Sequence, residues 1–241
     1  IMLRAVPLKA WRQSRAVSTA KKLCNLEALL GTVDTFVFDC DGVILNSNQL
    51  KTEAFARTLE GEPEKYVVEM IAYHKANGGV SRYKKFRHYF EEINPHKDVE
   101  KKIEQAISRF AEIVYRGLME CNYIPGVLDF IKELNEKGLN LFVVSGSDEE
   151  ELREVFSKRG IALLFSDIYG SPFTKSENMK KVTDMVGKHS KGILFGDSQS
   201  DMEVAEDYGL DFVFVRGVSE WKDGHQFAES KDYLTIDNFK I

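Results

Sequence analysis

The chain of 241 residues has little cysteine and no long apolar run. Its cysteines, Cys24, Cys40 and Cys121, are odd in number and widely spaced, which disfavours a disulfide framework and a cysteine-based metal centre. No apolar stretch approaches the roughly 20 residues that a membrane-spanning helix needs. Internal repeats and low-complexity segments are also missing. These absences indicate a globular protein of a reducing compartment, and we expect a cytoplasmic location.

Acidic residues are missing from the first part of the chain, where no acid precedes Glu27 although lysines and arginines are frequent. Such a segment is typical of an organelle transit peptide or a membrane-surface helix, and a helical extension packed on the domain is the alternative. We expect residues 1–32 to be a basic helical extension whose helix at 23–30 ends at Gly31. If residues 1–25 are a targeting segment, the expected location is an organelle matrix and not the cytoplasm. The net charge of the whole chain is −5, which argues against a general nucleic-acid binder.

The rest of the chain alternates between strand and helix patterns. Apolar runs predict strands at 35–38, 139–144, 168–170, 192–195 and, as the final strand, 211–215. Helical spacing predicts helices between them at 127–137, 149–159, 177–188 and 198–208. This alternation predicts an α/β fold, a Rossmann-like parallel sheet in a three-layer αβα core with right-handed crossovers.

A purely helical stretch interrupts this alternation after the first strand. Apolar residues at three- and four-residue spacing predict helices at 50–59, 66–74, 82–93 and 97–119. Together they make a compact helical bundle. We therefore predict an inserted helical domain at 49–122 and an α/β core made of 33–48 and 123–241.

The first strand ends at two carboxylates, Asp39 and Asp41, followed by Gly42. Residues two apart on a strand share a face, and ligands bind at the carboxyl ends of parallel strands. Two carboxylates brought together there repel each other unless a cation neutralises them. Gly42 allows a sharp turn and the close approach of a ligand. Taken alone, the motif is equally consistent with an ordinary Asp-Gly turn.

Other predicted strand ends supply further polar groups. Ser145 offers a hydroxyl beside the backbone amides around Gly146, and Lys175 offers a positive charge at a helix start. Asp197 ends the strand at 192–195, and Asp201 lies one helical turn later. Each alone has an ordinary explanation as a helix cap, a surface lysine or a helix-face charge. Their coincidence at several strand ends predicts a site for Mg²⁺ and a phosphoryl group.

These motifs resemble those of a known superfamily. The segments FVFDCDGV at 36–43, VVS at 143–145 and GDSQSD at 196–201, together with Lys175, are similar to the four motifs of the haloacid dehalogenase superfamily. The inserted helices resemble its type 1 cap domain. Within that superfamily, the chain is similar to the phosphoglycolate phosphatase and β-phosphoglucomutase-like group.

The resemblance implies a mechanism for phosphoryl transfer. Asp39 would be the nucleophile that forms an aspartyl-phosphate, and Asp41 would be the general acid and then the general base. Ser145 and Lys175 would hold the phosphoryl oxygens.

The resemblance also implies the ligands of a Mg²⁺ cofactor. They are the Asp39 carboxylate, the Asp41 backbone carbonyl and Asp197, with Asp201 in support. The true dehalogenases of the superfamily use neither the acid/base aspartate nor a metal. Asp41 and Asp197 therefore favour a phosphatase.

The cap loop suggests which phosphomonoester is cleaved. The stretch GVSR, ending at Arg82, resembles the cap loop in which β-phosphoglucomutases bind a distal phosphate. We therefore expect Arg82, Lys51 and the glycines Gly42 and Gly146 to contact a small acidic or sugar phosphate, with phosphoglycolate a weaker candidate. An exposed arginine at a helix start is the alternative for Arg82.

Three other functions compete with a phosphatase, and one of them is docking to nucleic acid or a membrane through the basic N-terminal segment. A mutase-type phosphotransferase is less favoured because Lys51 stands where those mutases have a histidine. A non-catalytic binding module is disfavoured by the presence of both Asp39 and Asp41. We expect a small phosphorylated metabolite as ligand, no nucleic-acid or membrane partner, and a monomer or weak homodimer.

Overall fold

The computed structural model describes residues 31–187 and 190–240. The predicted helical extension at 1–32 therefore lies outside the described residues, apart from Gly31 and Thr32. The strands are β1 (Thr35–Phe38), β2 (Asn140–Asp148), β3 (Asp167–Ser171), β4 (Gly192–Gly196), β5 (Asp211–Val215) and β6 (Leu234–Ile236). The helices of the first half are α1 (Asn48–Thr58), α2 (Glu64–Ala76), α3 (Arg82–His88), which continues as a π-helical turn (Tyr89–Ile93), and α4 (Val99–Glu120). Those of the second half are α5 (Val127–Glu136), α6 (Glu149–Lys158), α7 (Lys175–Val186), α8 (Gln199–Tyr208) and α9 (Gly224–Ser230).

The six strands of the described chain form one parallel sheet in the order β3-β2-β1-β4-β5-β6. Side chains alternate between two cores: Phe36 and Phe38 enter the larger cluster, whereas Val37 enters the other. Both faces are buried under helices, which is the usual condition for a parallel sheet. The predicted α/β class with a Rossmann-like core is confirmed.

The central position of β1 places the candidate site. Phe38, its last residue, pairs with Val143 of β2 on one side and with Phe195 of β4 on the other. Because the strands are parallel, the residues that follow them emerge at the same edge of the sheet.

Two strand predictions differ from the structure. The expectation that 211–215 is the final strand is wrong, because the chain continues through α9 into β6, which pairs with β5. With only three residues, β6 is too short for a clear apolar pattern. Strand β2 also extends beyond 144 to Asp148, which pairs with Ser171 after a register shift.

Helices α1–α4, which we call the cap helices, lie between β1 and α5. The rings of Phe55, Phe86 and Phe110 meet at their centre, with the Phe55 and Phe110 centroids 4.4 Å apart. Phe86 and Phe90 are buried as the helical spacing predicts, but Tyr83 is half-buried and donates a hydrogen bond to Asp148 at 2.6 Å.

No helix among the described residues is long and apolar enough to cross a membrane. The boundaries 33–48, 49–122 and 123–241 remain a proposal.

Candidate active site

Three buried aspartates converge at the edge of the sheet. Asp39 follows β1, Asp197 follows β4, and Asp201 lies in the first turn of α8. One carboxylate oxygen from each lies within 4.8 Å of the other two. Asp39 Oδ1 is buried and has no hydrogen-bond partner among the described residues. Several convergent carboxylates with an unsatisfied oxygen are the hard ligands that Mg²⁺ prefers, so these residues fit that ion.

Burial makes this cluster costly without a cation. Loss of solvent, together with the nearby charges of Asp201 and Asp41, raises the pKa of Asp39 to about 7 even though Lys175 opposes the shift. Burial and the charge of Asp39 likewise raise the pKa of Asp197 well above its ordinary range. Both shifts have the direction expected when carboxylates share a low-dielectric site.

Lys175 neutralises part of the cluster. Its Nζ lies 2.6 Å from Asp201 Oδ1 and 3.3 Å from Asp39 Oδ2. Burial disfavours the ammonium form, but the charges of Asp201 and Asp39 outweigh it and raise the pKa of Lys175. Thr174 and Glu177 form a capping box that fixes this start of α7, so the lysine is held at the sheet edge.

Asp41 has a different environment from the cluster. Its Oδ1 accepts a hydrogen bond from Ser47 at 2.5 Å, and its Oδ2 accepts bonds from Ser147 at 2.7 Å and from Lys51. Burial alone would raise the pKa of Asp41, but the charge of Lys51 and these hydrogen bonds lower it to about 2. Asp41 is therefore a carboxylate held in a fixed orientation.

Two glycines named from the sequence stand where a side chain would not fit. Gly42 has φ +74°, and a Cβ there would lie 2.2 Å from Asp197 Oδ2. A Cβ on Gly146 would lie 2.0 Å from the carbonyl oxygen of Gly79, in the loop between α2 and α3. Ser200 Oγ also donates a hydrogen bond to the Gly78 carbonyl at 3.1 Å. The cap loop thus lies directly on the edge of the sheet.

Ser145 is placed differently from its neighbours in the site. It is fully buried, and its hydroxyl accepts a hydrogen bond from Ser147 N–H at 3.3 Å. Ser147, which sequence reasoning missed, lines the cavity and contacts both Asp41 and Lys51. The predicted contact of Ser145 with a phosphoryl group stays a prediction.

The two predicted cap cations already have acidic partners. Arg82 is only 6% exposed, which makes the alternative of an exposed surface arginine wrong. Its guanidinium donates to both carboxylate oxygens of Glu151 and lies 4.9 Å from the centre of the Phe110 ring. Lys51 is bound to Asp41. Substrate contact by either residue stays a prediction.

A cavity of about 250 Å³ separates the cap helices from the sheet edge. Its lining includes Asp39, Asp41 and Asp197 from the sheet edge and Lys51, His74 and Lys85 from the cap helices. Lys85 and His74 were missed by sequence reasoning. The signal available for Lys85 is its helical spacing, three residues after Arg82, which places both on one side of α3.

Asn48 was also missed, since a residue just after a turn gives no sign of its distant partners. It donates a hydrogen bond to Asp197 Oδ2 at 2.5 Å and another to the Val218 carbonyl at 3.0 Å. It thereby orients one carboxylate of the cluster.

Several solved structures share this fold. A predicted phosphoglycolate phosphatase from Haemophilus somnus has 19% identity and a TM-score of 0.67, covering 86% of this chain and 95% of its own. CbbY from Rhodobacter sphaeroides, in complex with phosphate, has 17% identity and a TM-score of 0.65 over 86% and 95%. The β-phosphoglucomutase of Clostridium difficile has 15% identity and a TM-score of 0.65 over 86% and 92%.

At these identities the structural likeness establishes the fold alone. A search of curated proteins found no significant match. The sequence itself matches the haloacid dehalogenase-like hydrolase family over residues 36–215, from β1 to the end of β5. Because that match includes the three clustered aspartates, Lys175 and most of the chain, the protein belongs to the haloacid dehalogenase-like hydrolase family.

Proposed function

We propose that the protein is a Mg²⁺-dependent phosphatase that hydrolyses a small phosphomonoester, an acidic or sugar phosphate, through an aspartyl-phosphate. The observation that carries the proposal is Asp39 Oδ1, a buried carboxylate oxygen without a hydrogen-bond partner among the described residues, close to Lys175 and two further aspartates. An unsatisfied oxygen in such a place is suited to a metal ion or to a reacting phosphorus atom. CbbY, one of the fold relatives, has been solved with phosphate and, as a mutant, with xylulose-1,5-bisphosphate.

Asp39 and Asp41 divide the chemistry between them. A carboxylate oxygen of Asp39 attacks phosphorus, the bond to the leaving oxygen breaks, and water then hydrolyses the aspartyl-phosphate. Asp41 protonates the leaving oxygen in the first step and accepts a proton from the attacking water in the second. Its lowered pKa suits the second step, whereas the first requires that the bound substrate weaken the contact between Lys51 and Asp41.

The other residues of the cluster bind and orient. Lys175 balances negative charge on the phosphoryl oxygens, and Ser145 with the amides near Gly146 contributes donors. Asp39, Asp197 and the Asp41 carbonyl would hold Mg²⁺, with Asp201 in support. When bound, the ion would neutralise the clustered carboxylates and polarise the phosphoryl group.

Lys51 favours hydrolysis over the mutase alternative. The resemblance to β-phosphoglucomutases implies a histidine at this position, and here a lysine binds the acid/base carboxylate directly. A mutase would convert one sugar phosphate into another in the presence of a sugar bisphosphate and release little free phosphate.

Substitution Asp39→Asn tests the proposal. We expect phosphate release from p-nitrophenyl phosphate and a panel of phosphorylated metabolites, with Mg²⁺, to fall by about 10³-fold or more, because an amide is a poor nucleophile. The exposed Asp184→Asn, which makes the same chemical change outside the site, serves as the matched control.

Three results would count against the proposal. Retained activity in Asp39→Asn would remove Asp39 as the nucleophile. Isomerised sugar phosphate without free phosphate would support the mutase. A wild-type protein that binds phosphorylated metabolites and transforms none of them would be a binding module.

A further inference from the structure

The cap helices contain a buried ammonium group whose hydrogen-bond partner among the described residues is a histidine. Lys85 is 2% exposed, and its Nζ lies 2.7 Å from His74 Nδ1 and 3.4 Å from the His74 carbonyl oxygen. No carboxylate of the described residues lies within ion-pair distance of it. The other buried cations of the site differ, since Lys51, Arg82 and Lys175 each contact a carboxylate. A buried charge without an opposite partner is costly, so Lys85 stands out as unsatisfied.

His74 contacts the Lys85 ammonium but does not neutralise its charge. Burial, followed by the charge of Lys85, lowers the pKa of His74 to about 2, so the imidazole is neutral. When Lys85 is in its ammonium form, it has only donors, so Nδ1 accepts its hydrogen bond and the proton of the neutral ring lies on Nε2. That nitrogen is buried without a hydrogen-bond partner among the described residues, 4.0 Å from Glu220. Burial likewise lowers the pKa of Lys85 to about 7, as expected when a charge lacks a partner.

Lys85 and His74 line the same cavity as the reacting carboxylate. The cavity of about 250 Å³ contains Asp39 and Asp41 on the side of the sheet and these two residues on the side of the cap. The rings of Phe55 and Phe110 form an apolar part of its wall, and Lys85 Nζ lies 5.7 Å from the centre of the Phe55 ring. An apolar wall strengthens the attraction between Lys85 and any anion that enters.

Arg82, the residue expected from the sequence to bind a second anion, already has an acidic partner. Both terminal nitrogens of the Arg82 guanidinium, Nη1 and Nη2, donate hydrogen bonds to the Glu151 carboxylate. Glu220, which lies 4.0 Å from His74, also accepts hydrogen bonds from Thr52 and pairs with Lys75 at 3.3 Å. Among the described residues that line the cavity, Lys85 is therefore the cation without an acidic partner.

We propose that Lys85, positioned by His74, determines specificity by binding a second anionic group of the substrate, a carboxylate or a second phosphate, at the end remote from the reacting phosphoryl group. This inference rests on the proposed phosphatase function, and it assigns to Lys85 the contact that the sequence assigned to Arg82. The phosphoryl group occupies the side of Asp39 and Lys175, and the anion at the other end pairs with the ammonium.

Substitution Lys85→Met tests this, because methionine keeps an unbranched apolar chain and removes the charge. The probes are 6-phosphogluconate, glucose 1,6-bisphosphate and neutral-ended glucose 6-phosphate, and the first two distinguish a carboxylate from a phosphate. We expect Lys85→Met to raise KM for one or both acidic probes by about 10- to 100-fold, the usual worth of a charge-assisted hydrogen bond. For glucose 6-phosphate and p-nitrophenyl phosphate we expect changes within about threefold.

Two further variants separate charge from structure. Lys85→Arg retains the charge and is expected to keep part of the preference for acidic probes. Lys84→Met alters the exposed neighbouring lysine of α3 and is expected to leave every KM unchanged. In Lys85→Met, a rise in KM that is equal for acidic and neutral probes, or no rise at all, would overturn the proposed role of Lys85.

A binding measurement keeps this result independent of turnover. In the Asp39→Asn background, calorimetry compares the Kd of each probe with and without Lys85→Met. Acidic probes that bind about tenfold more weakly without Lys85 support the inference, and unchanged Kd values refute it. Absence of phosphate release from every probe would refute the phosphatase instead, while the Kd comparison still decides the role of Lys85.

Discussion

At the scale of single residues, the site balances several of its buried charges against specific neighbours. Asp41 is matched by Lys51, and Lys175 is shared between Asp39 and Asp201. Because these pairs are buried, removing one member leaves an uncompensated charge, which costs more than the loss of an exposed pair. Substitutions of these charged residues are therefore expected to affect folding as well as activity. A more informative test keeps the charged side chains and adds a methyl group to a neighbouring glycine.

Gly42→Ala is such a test. The new methyl group would lie 2.2 Å from Asp197 Oδ2 at φ +74°, so we expect a loss of about 2–3 kcal/mol in the free energy of unfolding and a loss of phosphate release. Gly138→Ala is the matched control, because it has a similar φ of +71° with nothing within 4 Å of the added Cβ. It is expected to lose about 1 kcal/mol and to keep its activity. Urea unfolding gives the stability of both variants, and a phosphate-release assay gives their activity. Equal losses of stability and activity in the two variants would contradict the role given to Gly42.

At the scale of elements, α3 joins the cap helices to the sheet. Its first residue, Arg82, pairs with Glu151 of α6, and the next, Tyr83, donates to Asp148 at the end of β2. The first turn of α3 thus contacts the sheet edge, while Phe86 packs in the centre of the cap helices. These contacts make Arg82 a structural link between the two parts.

A double-mutant cycle tests this link. Arg82→Met and Glu151→Met each remove one partner of a buried ion pair and are expected to cost about 3–5 kcal/mol in unfolding free energy. The double variant is expected to cost clearly less than the sum, because it leaves no unpaired buried charge. Arg87→Met, which breaks an exposed pair with Glu100 after one more turn of α3, should cost less than about 1 kcal/mol. Additive costs in the cycle would show that the pair is not coupled.

At the scale of the whole molecule, the chain brings distant carboxylates together and compensates their charge only in part, through Lys175. Because the pKa of Asp39 is raised from 3.8 to about 7, its contribution to stability is fully present below pH 3.8 and is lost as the pH rises through 7. A bound cation would offset this loss. Metal binding, pH and global stability are therefore linked.

Mg²⁺ is expected to raise the Tm, and more at pH 8 than at pH 5, because at pH 5 the ion must displace protons from Asp39 and Asp197. At 100 times its Kd the ion would stabilise the fold by about 2.7 kcal/mol. Asp197→Asn should remove most of the effect, whereas Asp184→Asn should retain it. Scanning calorimetry with and without Mg²⁺ measures this. A larger shift at pH 5, or an undiminished one in Asp197→Asn, would be incompatible with the proposed ligands.

The sequence by itself determined the fold class and the residues that meet at the sheet edge. Strand β1 has the predicted bounds, and Asp39, Asp197, Asp201 and Lys175 come together as their positions at strand ends and helix starts indicate. This was possible because apolar periodicity marks the strands, and parallel pairing brings their carboxyl ends to one edge. The chemical roles of these residues remain predictions.

Only the tertiary structure decided which cation faces which acid. The pairs Arg82–Glu151 and Lys51–Asp41 join the cap helices to the sheet edge, and Lys85 meets His74 across two cap helices. Periodicity identifies the buried side of a helix, but the partner of a charged side chain on that side depends on how separate elements pack. The strand β6 was missed for a related reason, because a three-residue strand is stabilised by pairing with β5 more than by any local pattern.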